Sequence, residues 1–150
     1  MSNYAGNFYI FGNPAQGTTI GENTFSNILD GMSNTLFFAE IYGTCTNTGD
    51  VNSTMTYGSL WADSNSGWRP GYNLSTGKGP VSGYPAARMF QVQPHWLNTC
   101  DFSRPSSPHV GGIWVGVADG SVRFVAMDIS ATTWQYANDP RDGNNLGSDW

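Results

Sequence analysis

Only six of the 150 residues are lysine or arginine, and they are scattered along the chain. Gripping a phosphate backbone takes clustered cations, so nucleic acid is excluded as a partner. The formal net charge of -5 gives no attraction to an anionic lipid surface either. Charge of both signs is scarce, at 11% of residues against roughly a quarter in ordinary globular chains. Nowhere do about 18 apolar residues follow one another, so the sequence holds no stretch that would cross a membrane as a helix.

Histidine is limited to His95 and His109. There is no G-x-S-x-G elbow and no HExxH pair, so no nucleophile, base and orienting group are spelled out. The chain is read as a non-enzyme, with no catalytic residue. A histidine and a carboxylate converging in one pocket would be needed to reverse that. The two cysteines, Cys45 and Cys100, have no CxxC spacing, which excludes a zinc knuckle.

What the chain has instead is glycine (19 residues), aromatics (14%) and a polarity drawn from Asn, Ser and Thr. These types favour turns and short strands over helices, so the expected class is all-β or α+β. A length of 150 residues predicts one domain, 1–150, with a respectable core.

The most informative segment is His109 to Met127. Ile113, Val115 and Val117 alternate with Trp114, Gly116 and Ala118. Beyond Asp119-Gly120, Val122, Phe124 and Ala126 alternate with Ser121, Arg123 and Val125. Period two on both sides of Asp-Gly predicts a β-hairpin closed by a two-residue turn with positive φ at both central positions.

Elsewhere, residues 2 to 12 predict a short strand or an irregular packed segment, and Thr24 to Asp30 a helical turn stopped at Asp30-Gly31. Thr35 to Tyr42 is a nearly continuous apolar run that reads as a central strand covered on both faces. From Gly43 to Pro108 the chain reads as a long loop insertion, with strand candidates at Met55 to Ala62 and Ala87 to Val92 between turn-forming stretches. Ser130 to Ala137 predicts a short helix capped by the Ser130 hydroxyl. The tail from Asn138 to Trp150 reads as loop.

His109 precedes Asp119-Gly120 by nine residues. The resulting H-x9-DG pattern resembles the signature of the bacterial prepilin-type H-X9-DG proteins, a secreted family related to type IV pilins and type II secretion pseudopilins. Three further stretches resemble it in the same order: Ser2 to Asn7, Asp30 to Thr35 ahead of the run ending at Glu40, and Leu146 to Trp150. The resemblance implies an α+β pilin-like head, with an antiparallel sheet, a long loop insertion and a short C-terminal helix. It implies a structural subunit or minor component of an extracellular or cell-surface pilus or pseudopilus. Other pilin or pseudopilin subunits would be its partners, and the head alone would be a monomer or weak oligomer. Family members typically open with a basic leader and a long apolar helix, whereas this sequence opens with polar MSNYAGNFYIFGNP. Membrane attachment is expected only through such a helix, either removed or never present.

Secretion implied by the resemblance predicts that Cys45 and Cys100 form a disulfide, against the alternative of two unrelated buried thiols. It also places the tail beside the Gly- and Asp-rich end of major pseudopilins, where calcium orders the terminal loop. Asp139, Asp142, Asn144, Asn145 and Asp149 offer the oxygen ligands calcium takes, although Asp and Asn are equally the residues of ordinary turns. His109 and Asp119 are expected at opposite ends of a strand roughly 20 Å apart, Asp119 serving the turn and His109 the strand base. The rival expectation is a carbohydrate- or ligand-binding module, with Trp61, Trp68, Tyr72 and Trp96 stacking on sugar rings from the loops.

Overall fold

The computed structural model describes residues 1–21, 23–45, 57–61, 69–75 and 79–150. Along these the strands run β1 (Tyr4–Asn7), β2 (Leu36–Glu40), β3 (Thr44–Cys45), β4 (Tyr57–Gly58) and β5 (Gly71–Tyr72), then β6 (Gln91–Val92), β7 (Ser106–Ser107), β8 (Gly112–Val117) and β9 (Val122–Ala126). A single helical turn, α1 (Phe8–Phe11), follows β1, and α2 (Ala131–Asn138) follows β9. The class is α+β, with a mostly antiparallel sheet and a short helix near the C-terminus. Ser130 caps α2, its hydroxyl accepting from the Thr133 N–H at 3.1 Å.

The main sheet has the order β5-β1-β2-β8-β9. β2 lies at its centre, where the apolar run predicts it. The sheet departs from the expected antiparallel pattern at one edge, since β5 pairs parallel to β1. A small separate ladder, β6 with β7, is parallel as well. The strand candidate at Ala87 to Val92 shrinks to Gln91 and Val92, and part of the one at Met55 to Ala62 lies outside the described residues.

The hairpin turn corrects the two-residue expectation. Gly120 has φ of 90°, but Asp119 is not among the positive-φ residues. The Gly120 N–H donates to the Val117 carbonyl at 3.0 Å, and the Val117 N–H donates to the Ser121 carbonyl at 2.9 Å. Ala118, Asp119 and Gly120 therefore form a three-residue loop with the left-handed position at glycine. Asp119 supports it by accepting from the Ser121 N–H (2.9 Å) and hydroxyl (2.6 Å).

That extra loop residue decides which side of β9 is buried. A two-residue loop would set Val115 opposite Phe124 and turn Phe124 into the core. The observed register sets Ile113 opposite Val125 and Trp114 opposite Phe124, because a one-residue shift sends every side chain to the other face. Val125 is buried, and Val122 and Phe124 are exposed.

A second irregularity lies in β2, where the register against β8 shifts between Leu36 and Phe38. This bulge lets Leu36 and Ala39 both enter the core. The expectation of a strand covered on both faces is corrected in part, because Phe37 and Phe38 are only half-buried. They lie beneath Phe11, whose ring is 5.4 Å and 5.1 Å from theirs.

The core occupies the other face. Ala5, Leu36, Ile113, Val115 and Val125 meet Trp134 and Ala137 of α2. The Trp134 ring packs edge-on against Phe90 at 4.9 Å, and its indole N–H donates to the Arg88 carbonyl. Beside this core three buried asparagines interlock. The Asn7 amide donates to the carbonyls of Leu36 and Asn138, and the Asn73 amide donates to the side-chain oxygens of Asn7 and Asn138. Every bond here replaces one that water would make, so the cluster welds β1, β2, β5 and α2 without orphaned amides.

Candidate functional site

His109 acts at the far end of β2. His109 ends the loop entering β8, and its Nε2 lies 2.9 Å from Glu40 Oε1. Glu40 is 7% exposed, and its other oxygen accepts from the Ser107 hydroxyl and the Trp114 N–H, each at 2.9 Å. A buried carboxylate is tolerable only when its lone pairs are met this way. One side chain thus ties β2, β7 and β8 to the loop carrying His109. Asp119 sits in the turn at the opposite end of β8, so imidazole and turn carboxylate do not meet.

His109 and Glu40 also border a cleft of about 450 Å³ with Asn3, Tyr4, Tyr42 and Thr44. A histidine and a carboxylate do converge there. The Ser107 and Thr44 hydroxyls beside them are committed to other partners. The Ser107 hydroxyl donates to Glu40 and accepts from the His109 backbone N–H at 3.1 Å, and the Thr44 hydroxyl is turned to the Met1 sulfur. Among the described residues His95 is engaged through its backbone, its N–H donating to the Thr99 hydroxyl at 2.9 Å and its carbonyl accepting from loop amides.

Asp30, Thr35 and Asp149 likewise tie distant segments together. The Asp30 carboxylate accepts from the Asp142 and Gly143 N–H groups at 3.0 and 2.8 Å, and the Thr35 carbonyl accepts from Ala118 beside the hairpin turn. Asp149 returns the tail to α2, accepting from the Ser130 N–H at 2.7 Å and the Thr133 hydroxyl at 2.5 Å. Those bonds hold its carboxyl down at about 2. Asp139 moves the other way, raised by burial and by the nearby carboxylates of Asp142 and Asp30.

The residues read as calcium ligands are not drawn to one point. Asp149 is committed to the start of α2. Asp139 and Asp142 lie toward Asp30, Asp142 accepts from the Asn144 N–H, and Asn145 is exposed. Among the described residues, no group of three His, Cys, Asp or Glu is arranged to hold a metal ion.

Cys45 and Cys100 are joined as a disulfide, buried with Phe102 in a small second core. Of the aromatics read as ligand-facing, Tyr72 is corrected outright. It is 0% exposed, in β5 opposite Asn7, because the sheet needs a large side chain at that edge of the core. Trp61 and Trp96 are exposed but stand apart: Trp61 borders a groove with Phe11, Phe38 and Leu74, while Trp96 sits in the turn after β6. Trp68 lies outside the described residues.

The surface that sequence reading missed is the outer face of the sheet. Trp114 and Phe124 pack edge-to-face there at 5.2 Å, flanked by Tyr4, Val122 and the stacked Phe11 and Phe38. Apolar side chains thus gather on this one face of the sheet. The signal was present in the alternation of β8 and β9, but its direction depended on the turn.

The chain belongs to the family described as Protein of unknown function (DUF1559), whose model matches residues 2–132, a family of bacterial secreted proteins. No curated protein and no solved structure matches it. No helix among the described residues is long and apolar enough to cross a membrane.

Proposed function

We propose that this chain is the head of a structural subunit, or minor component, of an extracellular pilus- or pseudopilus-like filament. The observation that carries this is the one-sided sheet. Its inner face is sealed by α2 and the core, while its outer face leaves Tyr4, Phe11, Trp114 and Phe124 open to a partner. The signature residues support the same role, since Glu40, His109, Asp119 and Asp149 all hold backbone segments together. They are the parts of a rigid brick rather than of a reaction centre.

Filaments sheared from a producing bacterium test this directly. The chain should co-purify with them, and Tyr4→Lys and Phe11→Lys variants should be secreted and folded yet missing from the filaments. Incorporation of both variants at the normal level, or absence of the unaltered chain from every filament fraction, would refute the proposal.

A further inference from the structure

The two edges of the main sheet are built differently. β5 is two residues long, preceded by Pro70 and ended by Asn73 at φ 59°, so little strand is left there to pair. β9 is five residues long, with no proline, lysine or bulge, the devices by which edges are usually blunted. Its ladder bonds fix which backbone groups are used. Val117 N–H to Ser121 carbonyl at one end and Met127 N–H to Gly111 carbonyl at the other place the odd-numbered residues toward β8. In an antiparallel ladder the intervening residues point the opposite way. The N–H and C=O of Val122 and Phe124, and the N–H of Ala126, therefore face outward, and no described residue pairs with them.

The same residues expose apolar side chains, with Val122 at 69% and Phe124 at 40%. Unpaired donors and acceptors in register with apolar side chains specify an extended strand as the occupant. We propose that β9 pairs antiparallel with β9 of a second copy of this chain, joining two sheets across a two-fold axis at Phe124. In that register Phe124 faces its own counterpart, and Val122 faces Ala126. The only charged residue of β9, Arg123, faces Val125, and its guanidinium lies over the Trp150 ring at 4.9 Å rather than across the edge. No like charges oppose each other, although the chain as a whole carries -5. The strand is self-complementary, and an isologous pair closes at two copies. It closes on itself and so does not propagate a filament, and it stands whether or not the chain polymerises, although Phe124 also lies on the outer face assigned to a filament partner.

A strand pair is small among protein interfaces, so the dimer should be weak and reached as concentration rises toward about 1 mM. Sedimentation equilibrium should show monomer giving way to dimer, and amide exchange at Val122 and Phe124 should slow over the same range. Val122→Pro sets a pyrrolidine ring on the open edge, where the partner strand must approach, without touching the β8 ladder, and it should abolish the dimer at an unchanged thermal midpoint. Should that variant fold poorly, Phe124→Lys gives the same test by charging the two-fold axis. Phe11→Lys, on the outer face away from the edge, should leave the dimer intact while blocking filament incorporation. A chain that stays monomeric throughout the range, or a dimer that survives the edge substitutions, or one lost in Phe11→Lys, overturns the proposal.

Discussion

The imidazole of His109 and the carboxylate of Glu40, 69 residues apart in the chain, lie 2.9 Å from each other. Through Glu40 the entrance to β8 is fastened to the end of β2, with Ser107 and the Trp114 N–H completing the carboxylate's shell. The bond is one part of a clamp, and its two ends differ in burial.

Glu40→Ala should cost about 2–4 kcal/mol in denaturant unfolding, since it strands the Trp114 N–H and the Ser107 hydroxyl in a buried setting. His109→Ala should cost only about 1 kcal/mol, because the imidazole is half exposed. The double variant should be no worse than Glu40→Ala plus a few tenths. Equal losses from the two single variants would contradict this ranking.

The carboxyl of Asp149 titrates at about 2, below its ordinary 3.8, because the Thr133 hydroxyl and the Ser130 N–H donate to its charged form. A depressed folded value adds stability above the ordinary value and loses it as pH falls through the folded one. The gap in thermal midpoint between the natural chain and Asp149→Asn should therefore narrow from about pH 4 down to about pH 2. A gap that stays constant across this window would remove the charged contact from consideration.

Tyr72 buries its hydroxyl with no hydrogen-bond partner among the described residues, and burial pushes its phenol far above the usual range. Tyr72→Phe should leave stability unchanged or raise it by about 1 kcal/mol, since an unsatisfied buried hydroxyl is a cost. A clear drop in the unfolding midpoint would reveal a bond that the hydroxyl makes.

The Cys45–Cys100 bridge spans a sequence separation of 55. On the chain-entropy account, closing such a loop is worth about 4 kcal/mol. Cys45→Ser with Cys100→Ser should lower the unfolding midpoint markedly, as should reductant on the natural chain. Reductant that changes neither mass nor midpoint would count against a formed bridge.

Much of this fold can be read residue by residue before any coordinates. The alternation of Ile113, Val115 and Val117 marks β8, the run before Glu40 marks β2, and Ser130 marks the start of α2, because side-chain periodicity and capping are local properties. The direction of Phe124 is not local. It follows from whether two or three residues turn the hairpin, and Asp-Gly serves both. Tyr72 looks like a loop aromatic because Gly, Pro and Asn surround it, and only pairing with β1 takes it into the core. The asparagine cluster is hidden for the same reason: Asn7, Asn73 and Asn138 are ordinary turn residues until the sheet and α2 bring them together.

Sequence alone determined where β2, β8, β9 and the capped helix lie, since backbone preference and apolar spacing act over a few residues. Tertiary structure decided which face of each strand met the core and which carboxylate met His109. It also decided which edge was left with unpaired backbone groups. Those outcomes depend on hydrogen bonds and burial between segments tens of residues apart, and one residue in a turn is enough to reverse them.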